Sequence, residues 1–295
     1  MLIARLFEPA ESDVLYHYCS AEAFLSIAES GRMRFSDINM LNDTAEFRWG
    51  YSVLEEAAGE CLKIANTNPA FKNLDRDFLD RVDALIGPMQ NSMHPFVACF
   101  STEGDLLSQW RAYADGGRGV AIGFRASALK AMPVSLLAVE YERAKQVEEM
   151  KTALGACFME NEDDGRKFGS KFYESCIMVG SYMTAFKNPT FKEEREVRCL
   201  HLVNVEMSKH LVRFVDRGGV ANGKEVDGEA VRFRSQSGAI IAYVDIPFRT
   251  KCELSPIKEV LMGPTNPNGY GNILYFLGQL GYEDVTVRWS ESTYR

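Results

Sequence analysis

The sequence predicts an α+β fold with a mixed, mainly antiparallel sheet and flanking helices. Short apolar runs bounded by turn residues recur along the chain, which is typical of strands. Helical patterns are segregated near 45–90 and 143–187 and do not alternate regularly with strands, as they would in a doubly wound sheet. With 295 residues, 46% of them hydrophobic, the chain can bury a substantial core. We predict a single domain, 1–295, in which the two helical stretches are insertions.

The first predicted elements are a strand, a helix and a second strand. The apolar run 14–18 predicts a short buried strand, and Ser20 is suited to cap a helix that ends at Gly31. A second strand is predicted at 33–35. The segment 36–43 predicts a loop, because its Ser, Asp and Asn side chains can bond their own backbone.

Apolar runs and turn residues also predict the elements in the middle and at the end of the chain. The run 95–101 predicts a buried strand, and a helix over about 105–114 is broken by the glycines of 115–119. These glycines precede a strand and do not join a strand to a helix, so they predict a turn and not a phosphate-binding loop. The remaining elements are predicted in this order: helices at 45–66 and 71–87; strands at 120–124 and 134–141; helical segments over 143–187; strands at 196–203, 229–235, 239–246 and 257–262; a helix at 270–280; and a strand at 285–289, with 218–228 as a polar connection.

Composition excludes several classes of protein. A formal net charge of -8 argues against a phosphate-tracking surface over the whole protein. The seven cysteines are never spaced Cys-x-x-Cys, and the four histidines never pair at ligand spacing, so no metal is expected. The amino terminus meets Pro9, Glu11 and Asp13 before a signal core could develop, and no later run is long enough to cross a bilayer. We infer a cytoplasmic protein without a membrane partner.

The segment 191–198 carries the most informative chemistry, because three acids and three bases crowd the entrance to a predicted strand. If this segment is extended, Glu194, Glu196 and Arg198 project from one face about 7 Å apart. A carboxylate beside an arginine should remain ionised, so the trio could serve a cationic reaction centre. A solvated strand edge protected by charges is the alternative.

Other side chains allow both a structural and a functional interpretation. His17 lies in an otherwise apolar strand, where it could be a hydrogen-bonded core residue or could bind a ribose. Trp110 and Tyr113 are three apart on a helix, where they could pack in the core or form one wall for a flat heterocycle.

Nine short segments form a recognisable series: LYHYCS (15–20), FSD (35–37), NDTAE (42–46), CFS (99–101), SQWRAYAD (108–115), GVAIGF (119–124), EREVR (194–198), IKEVLMGP (257–264) and the ending 290–295. Taken together, these segments resemble the bacterial domain of unknown function 2971 family. Their order and spacing agree with that family over nearly the whole chain.

The chain is more distantly similar to ADP-ribosyltransferase-like proteins, and this similarity implies a split sheet with an ADP-ribosyltransferase-like core. Their sites take a His or Arg from the first core strand, a Ser, Thr or Tyr from the middle, and a Glu from a later strand. Here the pattern corresponds to His17, then Ser101 or Tyr113, then Glu196. The sequence departs from the family at 42–44, where Asn-Asp-Thr replaces Asn-Asp-Pro, and it has no clear Ser-Thr-Ser triplet.

The resemblance implies an NAD-consuming ADP-ribosyltransferase or NAD glycohydrolase, which could act as a bacterial toxin or phage-defence effector. NAD would be the substrate, and an unknown protein or nucleic acid would be the acceptor. Glu196 would stabilise the cationic ribose, while Glu194 would orient or deprotonate the acceptor. The residues implied to contact the nucleotide are His17, Tyr18, Ser20, Phe100, Ser101, Trp110, Tyr113 and Arg198.

Two other functions remain open at this point. An RNA 2′-phosphotransferase-like enzyme on the same scaffold would need a basic groove, for which Arg32, Arg34 and Arg48 are candidates. A non-catalytic nucleotide-sensing or protein-interaction module would use the carboxylates only to stabilise the strand entrance.

Overall fold

The fold is mixed α+β, as predicted, with a mainly antiparallel open sheet. The computed structural model describes residues 5–40, 46–87, 93–163, 167–236, 238–248 and 255–293. The helices are α1 (Ala21–Ser30), α2 (Glu46–Thr67), α3 (Arg76–Ile86), α4 (Leu107–Tyr113), α5 (Ala126–Lys130), α6 (Arg143–Asp163), α7 (Ser170–Met183) and α8 (Tyr270–Gln279). The strands are β1 (Val14–Cys19), β2 (Arg32–Asp37), β3 (Met93–Ser101), β4 (Val120–Arg125), β5 (Ser135–Ala138), β6 (Glu196–Ser208), β7 (Leu211–Val215), β8 (Gly219–Ala221), β9 (Lys224–Val226), β10 (Arg232–Gln236), β11 (Ala239–Pro247), β12 (Ile257–Met262) and β13 (Thr286–Trp289).

The sheet branches at β3. Among the described residues its strand order is β10-β11-β2-β3-β1-β4-β12-β13, and β6 pairs with β3 while β5 and β7 pair with β6. One edge of β3 is paired with β6 along its whole length. The other edge is shared, because β2 pairs at Val97 and Phe96 whereas β1 pairs at Ser101. The strands β1 and β2 therefore leave β3 at different levels and continue into two arms of the sheet.

The two faces of the sheet bury different side chains. The α1 face packs against α1, α5 and α8, and its core includes Leu15, Ile122 and Phe100. The opposite face, called the α4 face, packs Tyr18 against Trp110 of α4. Because side chains alternate along a strand, neighbouring residues of β1 belong to different faces.

The predicted helical insertions correspond to α2, α3, α6 and α7, which share a hydrophobic cluster of their own. The cluster includes Val53, Phe78, Phe158 and Phe172, and the last three rings pack edge to face. None of the described helices is long and apolar enough to span a membrane. The prediction of a single domain stays a prediction.

Several predicted segments differ from the structure. The loop predicted at 36–43 begins instead with the last two residues of β2, and the strands predicted at 134–141 and 229–235 are the shorter β5 and β10. The polar connection 218–228 contains the hairpin β8–β9, whose ends are joined because Asp216 accepts bonds from the amides of Gly218 and Glu229, both at 2.8 Å. The helix predicted from about residue 105 begins at Leu107, because the Asp105 carboxylate instead accepts a bond from Trp110 Nε1 at 2.6 Å. Asn42 and Asp43 lie outside the described residues.

Candidate functional site

Glu196 begins β6 and is held by two cations. Its carboxylate accepts bonds from Arg198 Nε at 2.8 Å and Nη2 at 3.1 Å, and from Lys187 Nζ at 3.0 Å. Arg198 also donates to the carbonyl of Thr184 at 2.7 Å, which ties β6 to the end of α7. The side chains of Glu196 and Arg198 are 3% and 1% exposed, so this is a buried ion pair.

Lys187 connects Glu196 to Glu194. Its ammonium donates to Glu194 Oε2 at 2.6 Å, and the other oxygen of Glu194 accepts from the Tyr113 hydroxyl at 3.0 Å. We call Glu196, Arg198, Lys187 and Glu194 the Glu196 cluster. Lys187 was not among the candidates from sequence, because no spacing rule relates it to the strand; the Asn188-Pro189 turn that follows it is the one local signal.

The backbone brings Glu194 close to Glu196 by a turn and not by an extended strand. Residues Pro189–Glu194 form a 3₁₀ helix, and Arg195 then adopts a left-handed conformation with φ of 46°. The Glu194 carbonyl accepts a bond from the Ser101 hydroxyl at 2.7 Å. The prediction that Glu194, Glu196 and Arg198 lie on one extended face is therefore wrong for Glu194, which joins the other two through Lys187.

The cluster keeps the Glu196 carboxylate charged. Burial by itself raises the pKa of a carboxyl group, but the Arg198 guanidinium and the Lys187 ammonium outweigh burial and lower the pKa of Glu196 from 4.5 to about 2. Burial and the Glu194 carboxylate raise the pKa of Tyr113, so its hydroxyl stays protonated and can donate. Burial and the neighbouring Glu196 likewise raise the pKa of Cys99, which stays a thiol.

We expect the ionised Glu196 to make stability depend on pH. A carboxyl whose pKa is lower in the folded state stabilises fully above its unfolded value of 4.5, and the contribution is lost as the pH falls towards about 2. Urea unfolding at pH 7 and pH 3 should therefore show that Glu196→Gln destabilises less at pH 3. The exposed Glu193→Gln is the control and should show no such change. An equal cost of Glu196→Gln at both pH values would contradict the prediction.

Tyr18, Trp110 and Ser20 have structural partners. The rings of Tyr18 and Trp110 pack edge to face at 4.8 Å, and both residues are buried. The Tyr18 hydroxyl donates to the Glu103 carbonyl and accepts from the Leu106 amide, both at 2.9 Å. Ser20 caps α1 by accepting from the Ala23 amide. These contacts support the core interpretation of Trp110 and the capping interpretation of Ser20, and they place Tyr18 in the core beside Trp110.

The register of β1 separates His17 from Glu196. Tyr16 lies opposite Ser101, which lies opposite Glu196, so these three side chains form a row on the α4 face. His17 is the next residue, lies opposite Ile122, and projects from the α1 face. The structure thus places Glu194, Glu196, Arg198, Ser101 and Tyr113 in one region but does not bring His17 into it.

His17 and Phe100 pack together on the α1 face. Their ring centroids are 5.6 Å apart, and the His17 Nδ1 donates to the Cys99 carbonyl at 3.0 Å. Burial lowers the pKa of His17, so its ring is neutral at pH 7. Phe100 is itself buried against Phe124, which leaves no open ring surface for stacking on nicotinamide.

A concavity of about 180 Å³ lies beside the hairpin β8–β9. Its lining includes His201 and Asp216, whose side chains are bonded to each other at 2.8 Å. None of the residues implied to contact NAD lines it.

Comparison with known proteins relates the middle of the chain to a protein family. The family described as "Protein of unknown function (DUF2971)" matches residues 109–199, about a third of the chain. No match was found among curated proteins or among solved structures. The matched span runs from α4 into β6 and contains Tyr113 and the whole Glu196 cluster. The similarity to the DUF2971 family is therefore shown for the span that builds this cluster.

Proposed function

We propose that the protein is an NAD-consuming ADP-ribosyltransferase or NAD glycohydrolase that uses Glu196. One observation carries the proposal: β1, β3 and β6, the strands that supply the three positions of the resemblance, are neighbours in that order. Ser101 and Glu196 lie directly opposite each other, as a middle hydroxyl and a late carboxylate should. Tyr16 takes the first-strand position of this row in place of His17.

The chemistry of this reaction suits a carboxylate that is ionised at neutral pH. Cleavage of the nicotinamide–ribose bond develops positive charge on the sugar, and a fixed negative charge stabilises the transition state more than the substrate. In the proposal the ribose replaces Lys187 at one oxygen of Glu196, while Lys187 keeps its bond to Glu194. Arg198 stays bound to the other oxygen and fixes the orientation of the carboxylate.

Glu194 is the better placed carboxylate for the acceptor. Its side chain is 12% exposed, compared with 3% for Glu196, and Tyr113 at the surface donates to it. In the proposal Glu194 orients or deprotonates the attacking group, which belongs to water, a protein or a nucleic acid. Whether the protein acts as a toxin or as a phage-defence effector would depend on which molecule accepts the ADP-ribosyl group.

A second candidate function is a non-catalytic nucleotide-sensing or protein-interaction module. The observation that favours it is that Glu196 is already neutralised by two cations and is almost inaccessible. A buried ion-pair cluster of this kind could serve only to fix β6 against the end of α7.

The two candidates differ in turnover. We expect the protein, incubated with labelled NAD and a cell lysate, to release nicotinamide, and Glu196→Gln to slow release by about a hundredfold or more while NAD still binds. Glu193→Gln, an exposed change in the same turn, should leave the rate unchanged. The non-catalytic module predicts no release from the unaltered protein and the same ligand binding after Glu196→Gln.

A milder variant keeps the test valid if Glu196→Gln does not fold. Tyr113→Phe removes only the hydroxyl that donates to Glu194, so the fold should persist, as circular dichroism can verify. We expect this variant to be slower in transfer while its affinity for NAD is retained. Failure of the unaltered protein both to bind NAD and to release nicotinamide would refute the proposal.

A further inference from the structure

Two arginines, Arg34 and Arg234, lie near Tyr243 on the arm of the sheet formed by β10, β11 and β2. Tyr243 lies opposite Ser36 of β2 on one side and Arg232 of β10 on the other. Arg34 and Arg234 occupy the same side of this arm, because each is two residues from one of those positions. The set Arg34, Arg234, Ser36 and Tyr243, which we call the arginine site, lies opposite the α1 face, to which Val244 belongs.

Arg34 has a carboxylate partner among the described residues, whereas Arg234 has none. Arg34 binds Asp245 through two bonds of 2.8 and 3.0 Å, and its guanidinium stacks on Tyr243 at 3.9 Å. Arg234 has no ion pair within the described part of the chain, and its one hydrogen bond there is to the Ser36 hydroxyl at 3.4 Å. Its Nε is buried and has no hydrogen-bond partner in the parts of the chain that the structure describes.

The position of Arg234 is electrostatically unfavourable in the protein alone. Burial and the charge of Arg34 lower the pKa of Arg234, which means that the site disfavours its cation. An arginine on an ordinary solvated surface would direct every N–H to water, whereas this one directs Nε into the protein. Among the described residues Asp245 pairs with Arg34 and no carboxylate pairs with Arg234, so the two guanidinium groups leave excess positive charge.

We propose that Arg34 and Arg234 bind a phosphate group of a small ligand. Guanidinium groups offer N–H donors that match the oxygens of a phosphate, and the buried Ser36, whose hydroxyl accepts from Arg234 at 3.4 Å, positions one of them. Arg34 presents a side chain that is 39% exposed, so a ligand can reach its guanidinium from solvent. The inference uses no residue of the Glu196 cluster and does not rest on the proposed function.

Titration with phosphate tests the site directly. We expect inorganic phosphate, compared with chloride at equal ionic strength, to bind the unaltered protein in calorimetry and to raise its melting temperature. Arg234→Gln should weaken phosphate binding by about tenfold or more, because it removes a charge-assisted donor. Arg234→Lys keeps the charge but loses the paired donors. Its affinity for phosphate should therefore lie between those of the unaltered protein and Arg234→Gln.

The control is Arg213→Gln, which changes an exposed strand arginine that pairs with Glu206 and should leave phosphate binding unchanged. Without phosphate, Arg234→Gln should be no less stable than the unaltered protein, because it removes a cation that has no ion pair among the described residues. Equal affinity of Arg234→Gln and the unaltered protein for phosphate would overturn the inference, and so would a failure of the unaltered protein to distinguish phosphate from chloride.

The source of the phosphate group is resolved by two further ligands. Tighter binding of ADP than of inorganic phosphate, with no binding of adenosine, would identify a nucleotide phosphate. Equal affinities for ADP and inorganic phosphate would identify free phosphate. Both outcomes support the site when Arg234→Gln weakens binding of the phosphate ligand by about tenfold or more.

Discussion

Replacing Arg198 with methionine is expected to lower the free energy of unfolding by about 3–5 kcal/mol. Methionine fills similar space but leaves the buried Glu196 with Lys187 as its remaining cation, and Lys187 is shared with Glu194. The change also removes the donor to the Thr184 carbonyl, which is itself buried beside the strand. Urea unfolding at pH 7, followed by circular dichroism, measures the loss.

The matched control is Arg213→Met, because Arg213 is also a strand arginine paired with a glutamate but is exposed. That change should cost at most about 1 kcal/mol. Combining Arg198→Met with Glu196→Leu should recover part of the loss, because the uncompensated carboxylate is then gone. A cost below about 1 kcal/mol for Arg198→Met would show that the buried pair contributes little to stability.

The fold class was accessible from sequence because most central strands carry strong apolar patterns. The strand Val120–Arg125 is buried at every position but the last, so its hydrophobic run was sufficient to predict it. The strand Leu211–Val215 was not predicted. Its residues are largely exposed, and it exists because it pairs with the polar end of β6 over five positions. Strand pairing of this kind is not visible in local composition.

The candidate site was only partly accessible from sequence, and the reason is register. Alternation correctly predicted that Glu196 and Arg198 share a face, since both lie in one strand. Whether Tyr16 or His17 of β1 faces them depends on which residue lies opposite Ser101, and a shift of one residue reverses every side chain. The position of Lys187 depends on the turn between α7 and β6. Composition alone does not determine the geometry of that turn.

Replacing Gly119 with alanine is expected to cost about 3 kcal/mol or more, because the backbone approaches too closely for a side chain. A Cβ atom there would lie 2.0 Å from the Cys19 carbonyl oxygen and 3.1 Å from that of Ala114. Neither oxygen can move without an energetic cost. The Ala114 carbonyl already accepts a bond from the Gly119 amide at 2.9 Å, and the Cys19 carbonyl belongs to the last residue of β1. The Gly119 carbonyl in turn accepts bonds from the Gly263 amide at 3.0 Å and from Asn266 Nδ2 at 2.8 Å.

Gly155→Ala provides a control with the opposite sign. Gly155 lies inside α6, and an added Cβ would meet no atom within 4 Å, so alanine should stabilise the helix by about 0.5–1 kcal/mol. Both variants can be compared by urea unfolding at pH 7. If Gly119→Ala cost less than about 1 kcal/mol, the ends of β1 and α4 would have to move apart easily. The row formed by Tyr16, Ser101 and Glu196 would then be a less rigid platform than the proposed chemistry requires, because β1 ends at this contact.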